Sequence, residues 1–186
     1  MDTLDALLDI IALNEGRITG RTTLQKLGYF SKVFLVIHPE YRAHYYGPYS
    51  ATVAETLDDL VAMGFLDKNL ETRQNTHYAV SPDWKRYSYT ITPDGKKYLN
   101  SLRKHNDLAS EEDKLKNIIG ICRDEAGLDP YILSWAAKVH FILSESCRAM
   151  TIEEVQKSAA TLNWELGGKQ IEKGIALLEK LKLITR

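Results

Sequence analysis

The chain has 186 residues, of which 44% are hydrophobic and 26% are charged, as in ordinary globular proteins of one or two small domains. With 24 basic and 25 acidic residues the net charge is −1, which excludes a protein drawn to nucleic acid by its overall charge. Two separated cysteines give neither a disulfide framework nor zinc-ligand spacing. The first residues are acidic, whereas a signal peptide begins with basic residues, and no apolar run approaches the roughly 20 residues that span a bilayer. The sequence therefore predicts a cytoplasmic protein that is not bound to a membrane.

The first 34 residues predict two amphipathic helices. Apolar side chains recur at three- and four-residue steps in the first, at Leu4, Leu7, Leu8, Ile11 and Ala12. That helix should stop near Gly16, because glycine takes the left-handed conformation that ends helices. Thr19 is the expected cap of the second helix, which should end around Phe34 and leave Arg17, Arg21 and Lys26 available to solvent.

A short strand is predicted at about residues 42–46, where Tyr41, Tyr45 and Tyr46 are strand formers. Gly47-Pro48 should then turn the chain, and Ser50 should cap a third helix. Apolar residues at helical spacing continue behind this cap through Val53, Leu57, Leu60 and Val61. This third helix is expected to present its outer face to a partner.

A β-hairpin is predicted after the polar stretch 67–74. Its strands should be Thr76–Val80 and Tyr87–Thr92, joined by a basic and aromatic tip over residues 81–86. Thr92 and Pro93 are a strong helix start, leading into a helix up to His105. The order helix, helix, strand, helix, hairpin predicts a mainly helical α+β protein with a winged helix-turn-helix domain over residues 1–106.

Three motifs strengthen this interpretation: Gly20-Arg21-Thr22-Thr23-Leu24-Gln25-Lys26-Leu27, then Tyr46-Gly47-Pro48-Tyr49-Ser50, then Tyr87 to Lys96. In this order they resemble the YwgA-like group of small prokaryotic winged-helix proteins. The resemblance covers roughly residues 1–100 and implies a winged-helix fold and a regulatory role. It brings no catalytic residue and does not reach the second half.

Residues 107–186 predict a second, helical domain, and the apolar stripes of the helices at 93–105 and 111–127 should be buried either on that domain or across the two-fold axis of a homodimer. One helix carries Leu115, Ile118, Ile119 and Cys122 and should end near Gly127, a second spans Tyr131 to Leu143, and a third starts at the capping box of Thr151 and Glu154. The last helix repeats the apolar pattern of the third helix at a shift of 118 positions, which suggests a wingless helix-turn-helix-like unit at 130–186. The alternative is that any helix leading into a strand shows this pattern.

The predicted DNA interface has two parts. The outer face of the third helix offers Tyr49, Ser50 and Thr52, but it also carries Glu55, Asp58 and Asp59, which a DNA groove repels. The predicted hairpin is the wing of this fold, and it offers cations and an aromatic ring for contacts to the DNA backbone, at Arg73, Trp84, Lys85 and Arg86. Residues 67–110 carry 8 basic and 5 acidic side chains, so this is the basic part of the chain. Arg17, Arg21 and Lys26 add candidate contacts.

The leading hypothesis is therefore a DNA-binding transcriptional regulator that binds double-stranded DNA as a homodimer. The alternative is a protein-interaction module, such as an adaptor or antitoxin-like subunit, because the third helix is acidic and the net charge is near zero. No nucleophile, base and oxyanion donor can be named, so the sequence does not predict an enzyme. It predicts no cofactor and no metal site, and His140 is expected to be a hydrogen-bonded core residue.

Overall fold

The computed structural model describes residues 1–73 and 84–185, which are mostly helical with one small antiparallel sheet. Eight helices lie in this part of the chain: α1 (Thr3–Leu13), α2 (Arg21–Val33), α3 (Ala51–Ala62), α4 (Pro93–His105), α5 (Ala109–Ala126), α6 (Pro130–Ser146), α7 (Ile152–Thr161) and α8 (Gly168–Lys180). Its three strands are β1 (Arg17–Thr19), β2 (Leu66–Arg73) and β3 (Trp84–Ile91), in the sheet order β1-β3-β2. The predicted α+β class is confirmed.

Several predicted helix boundaries are confirmed by their caps. The side chains of Ser50, Thr92 and Thr151 each accept a hydrogen bond from a backbone N–H in the first turn of α3, α4 and α7. Thr151 and Glu154 form the predicted capping box. Gly127 ends α5 with a φ of 57°. These boundaries rest on local backbone chemistry, which a sequence displays directly.

The predicted start of α2 is wrong. Thr19 does not cap the helix, because it lies in β1 and pairs with Ser88 of β3. Gly20 takes the capping position with a φ of 99°, a conformation that favours glycine. A strand of three residues leaves little periodic signal, and the pairing with β3 spans about seventy residues of sequence.

The strand predicted at residues 42–46 is also wrong. Only an isolated bridge forms there, in which Arg42 and Tyr49 exchange backbone hydrogen bonds of 3.0 and 2.9 Å. The segment turns back on itself at Gly47, whose φ is 99°, so it has no sheet edge to join. Trp164 holds the segment from the other half of the chain, with its indole N–H donating to the His44 carbonyl at 2.6 Å.

The hairpin differs from its predicted strands. β2 occupies the stretch that was expected to be polar connection, and its register with β3 runs from Leu66 opposite Ile91 to Arg73 opposite Trp84. Trp84, Lys85 and Arg86 therefore belong to β3 rather than to a tip. The predicted strand Thr76–Val80 lies outside the described residues, and at positions 72, 73, 84 and 85 the description extends to the backbone only.

One hydrophobic core runs through both halves of the chain. Leu7, Leu27 and Leu57 of the first half and Leu133 and Leu178 of the second belong to the same buried cluster. The predicted apolar stripe of α5 lies in this core, where Leu115, Ile118, Ile119 and Cys122 are at most 2% exposed. The helices that pack on α5 come from both halves of this chain, α1 and α2 of the first and α6 and α8 of the second, so the stripe needs no dimer partner to cover it.

Candidate functional site around the Tyr46 to Ser50 turn

The turn that leads into α3 is held by two successive side chains of α2. The Gln25 side-chain amide accepts a hydrogen bond from the Ser50 N–H at 3.0 Å and donates one to the Ser50 carbonyl at 2.9 Å. Both residues are buried. Next to Gln25, the Lys26 ammonium group donates to the Pro48 carbonyl at 2.7 Å. The two motifs Leu24-Gln25-Lys26 and Gly47-Pro48-Tyr49-Ser50 therefore form one structural unit that fixes the start of α3.

Lys26 is not the solvent-exposed DNA contact that its sequence position predicted. Its side chain is buried, with only 2% of the residue exposed. Burial, and to a smaller extent repulsion from Lys138, lower the pKa of Lys26 to about 7. The physical reason for the wrong prediction is that α6 and the turn cover this face of α2, which a helical pattern within α2 cannot reveal.

Ser50 is likewise unavailable to DNA. The residue is 1% exposed, and its hydroxyl accepts from the Val53 N–H at 3.3 Å as the α3 cap. Tyr49 is partly buried, with its ring centre 5.0 Å from that of His44. Of the three predicted contacts at the start of α3, Thr52 is exposed and open to a partner.

The arginines of the first half are engaged in ion pairs. Arg17 pairs with Glu71 of β2, and Arg21 pairs with Asp58 of α3. Asp58 also accepts from Lys68 at 3.2 Å. Partial burial of the Asp58 carboxylate acts to raise its pKa, but the hydrogen bonds from Arg21 and Lys68 outweigh this effect, so the pKa of Asp58 is lowered. Arg17 and Arg21 thus neutralise carboxylates of this chain before any phosphate arrives.

The outer face of α3 is left acidic. Glu55 and Asp59 are exposed, and neither forms an ion pair with a cation whose side chain the structure describes. Thr56 donates its hydroxyl to the Thr52 carbonyl at 2.8 Å, within the helix. This face therefore carries two unneutralised carboxylates beside the neutralised Asp58.

The predicted wing residues lie at the far end of the hairpin. Three successive pairs of the β2–β3 ladder each contain one cation, in the order Glu71 opposite Arg86, Thr72 opposite Lys85, and Arg73 opposite Trp84. Arg86 also lines a cleft of about 340 Å³. This cleft lies between the hairpin, the start of α2 and the first half of α6, and we call it the interhelical cleft.

The interhelical cleft contains functional candidates that the sequence did not single out. Its aromatic lining is Tyr46, Tyr87, Tyr131 and Trp135, and its basic lining is Arg21, Arg86 and Lys138. The available signal was the spacing of Tyr131, Trp135 and Lys138, which puts all three on one face of a helix. The predictions for α6 concentrated on its apolar residues instead.

His140 forms the hydrogen bond that was predicted for it, but it is half-buried rather than a fully buried core residue. Its Nδ1 lies 2.9 Å from the Tyr29 hydroxyl of α2, so the histidine hydrogen-bonds across the two halves of the chain. Burial, aided by nearby Lys32, lowers the pKa of His140. No group of three His, Cys, Asp or Glu side chains suited to a metal ion occurs among the residues described.

Comparison of the chain with protein-family models and with curated proteins finds no match in either. The resemblance to the YwgA-like group therefore stays a prediction. Within the described ranges, no helix has both the length and the apolar composition needed to cross a membrane.

Proposed function

We propose that this protein is a winged-helix regulator that binds double-stranded DNA through the β2–β3 hairpin rather than through α3. The element order from α1 to β3 supports the winged-helix part, because a hairpin follows the α2–α3 pair and joins a sheet that also contains β1. The observation that carries the DNA part is the basic end of the hairpin, where Arg73, Lys85 and Arg86 occupy three successive ladder pairs.

Charge is the reason for preferring the hairpin. A helix inserted into the major groove meets the field of two phosphate backbones, and the exposed Glu55 and Asp59 of α3 would be repelled there. Arg21 and Lys68 cannot compensate fully, because both already pair with Asp58. Contacts from the hairpin to phosphates or to the minor groove avoid this repulsion.

Replacing Lys85 and Arg86 with alanine tests the proposal. The affinity for double-stranded DNA should fall uniformly across sequences, and the slope of log affinity against log salt should become shallower by about two, one for each lost phosphate contact. Fluorescence anisotropy at several salt concentrations measures both quantities. The control is Lys104→Ala with Lys114→Ala, which removes the same charge from exposed positions on α4 and α5. Equal behaviour of the two double variants would contradict the hairpin assignment.

A protein-interaction module is the second candidate, and one observation favours it. The α3 surface combines the exposed carboxylates of Glu55 and Asp59 with Met63, which is 57% exposed. An apolar side chain beside uncompensated carboxylates suits a basic protein surface better than it suits DNA. Glu55→Lys with Asp59→Lys should abolish capture of such a partner from a host extract. Capture that survives this double charge reversal would exclude the α3 surface as its site.

A further inference from the structure

The interhelical cleft has the aromatic walls of a ligand site. Tyr46, Tyr87 and Tyr131 line it while 58%, 44% and 56% exposed, and Trp135 lies beside them. Exposed aromatic rings gathered at one concave place mark binding surfaces, because a ring offers a large stacking area at low entropic cost. The volume of about 340 Å³ falls near the lower end of small-molecule sites, which span roughly 300 to 1,000 Å³.

The cleft is also basic. Arg21, Arg86 and Lys138 line it, and none of the described residues that line it carries a carboxylate. A concave wall with cations of one sign concentrates anions from solution. Arg21 is already paired with Asp58, so it has less charge to offer an anion than Lys138 has.

Lys138 lacks a hydrogen-bond acceptor although it is nearly buried. The residue is 9% exposed, and within residues 1–73 and 84–185 its ammonium group donates to no acceptor, facing the Trp164 ring at 5.5 Å. Burial lowers the pKa of Lys138, while the exposed carboxylate of Glu165 acts in the other direction. A partly desolvated ammonium without an acceptor is stabilised by an anion that enters the cleft.

Lys26 reinforces this attraction from the other side of the turn. A Cβ atom placed on Gly47 would lie 3.1 Å from the Lys138 Cγ and 3.4 Å from the Lys26 Nζ, so two lysine side chains flank one glycine. The two ammonium groups repel each other. An anion near this turn relieves that repulsion, which a neutral aromatic ligand does not do.

We propose that the interhelical cleft binds a nucleoside phosphate, with the phosphate held by Lys138 and the base stacked on Tyr131 and Trp135. This ligand class combines the two features that the walls offer, a planar aromatic ring and a compact anion. The cleft suits one nucleotide rather than two. Such a ligand touches both the hairpin and α6, and its binding does not depend on whether the protein also binds DNA.

Isothermal titration calorimetry on the full chain tests the proposal with AMP, ADP, GMP and GDP. Saturable binding of at least one of them is expected. Adenosine or guanosine alone, and inorganic phosphate or pyrophosphate alone, should each bind roughly tenfold or more weakly, because each supplies only half of the contacts. The proposal is overturned if none of the four nucleotides shows saturable binding at millimolar concentration. It is also overturned if inorganic phosphate alone binds as tightly as the best nucleotide.

Variants locate the binding on the cleft. Tyr131→Ala should weaken nucleotide binding by roughly tenfold, the scale of one lost stacking contact, and its exposure keeps the fold intact. Lys138→Gln should weaken it at least as much. Met63→Ala is the matched control, because this side chain is 57% exposed, close to the 56% of Tyr131, and does not line the cleft. Binding that neither cleft variant weakens, or that Met63→Ala weakens equally, overturns the assignment.

A short single-stranded oligonucleotide distinguishes the two ligands that share this chemistry, a free nucleotide and a nucleotide within a single strand. On this proposal, no short strand binds the cleft a hundredfold more tightly than the best free nucleotide. If the strand binds at least a hundredfold more tightly than any nucleotide and loses this affinity in Tyr131→Ala, the cleft is a single-strand site and the proposal of a free nucleotide falls.

Discussion

Gln25 satisfies the backbone at Ser50 in the way that a neighbouring strand does, by pairing with both the N–H and the carbonyl of one residue. Buried backbone groups need such partners, because water cannot reach them. A side chain of α2 thereby fixes the residue at which α3 begins. The geometry of the candidate interface thus depends on a residue that does not itself reach the surface.

Gln25→Ala is expected to lower the free energy of unfolding by about 1 to 3 kcal/mol, because it leaves the buried Ser50 N–H unpaired and removes one of the two hydrogen bonds to the Ser50 carbonyl, which keeps the bond from the Ala54 N–H. Urea denaturation followed by circular dichroism measures the loss. Asn100→Ala, an exposed amide on α4, is the control and should change stability by less than about 0.5 kcal/mol. A Gln25→Ala protein as stable as that control would show that water replaces the lost partners.

Lys26 should make stability depend on pH in a defined window. Its pKa in the folded chain is about 7, below the ordinary value of 10.5. Between these values the unfolded chain binds more protons at this group than the folded chain does. The free energy of unfolding should therefore rise with pH from about 7 upward, and the contribution of Lys26 is lost as pH falls through its folded pKa.

Comparing the wild type with Lys26→Met isolates this effect. From pH 7 to 9, the unfolding free energy of the wild type should rise relative to that of Lys26→Met by about 1 kcal/mol per pH unit. Urea titrations at these pH values measure it. Asp9, whose pKa burial raises to about 6, titrates below the window. A difference that stays constant with pH would mean that Lys26 remains protonated in the folded chain.

At the scale of elements, the proposed binding of double-stranded DNA should be weakened by the charges of α3. Glu55→Gln with Asp59→Asn removes two negative charges without changing shape, so the affinity for double-stranded DNA should rise several-fold and its salt dependence should steepen. Fluorescence anisotropy measures both. Asp124→Asn with Glu172→Gln removes the same charge from exposed positions on α5 and α8 and should have little effect. Unchanged DNA binding in the α3 variant would place that helix away from the duplex.

The elements that could be predicted are those with local signals. Ser50, Thr92, Thr151 and Gly127 mark their helix ends through hydrogen bonds or backbone angles within a few residues. β2 lacks such signals, because Leu66 to Arg73 is mostly polar and becomes a strand by pairing with β3.

The residues of the candidate site divide in the same way, into those with a local sequence signal and those placed by distant parts of the chain. Its hairpin cations were predicted as a basic local run. The burial of Lys26 and the cleft that joins Arg21 to Tyr131 depend on residues more than a hundred positions away. No pattern within α2 or α6 contains that information.

At the scale of the whole molecule, the two predicted domains at 1–106 and 107–186 share their core and are joined by polar contacts. Tyr29 bonds His140, and Trp164 bonds the His44 carbonyl. We therefore expect one cooperative unfolding transition, with coincident midpoints by tryptophan fluorescence and circular dichroism. Two separated transitions would contradict this expectation and support independent domains. The predicted homodimer is a separate matter, which light scattering at micromolar concentration checks.

The pairing of Gln25 with Ser50 also has an evolutionary consequence. The hydrogen bonds go to the backbone of position 50, so a change of its side chain, other than to proline, leaves both bonds in place, whereas a change at position 25 removes both. The constraint therefore falls on one position only. Relatives that have lost overall similarity should keep a side chain at position 25 that both donates and accepts, while position 50 exchanges among helix-capping residues. Retention of this amide would then trace the lineage of the chain where overall sequence identity no longer can.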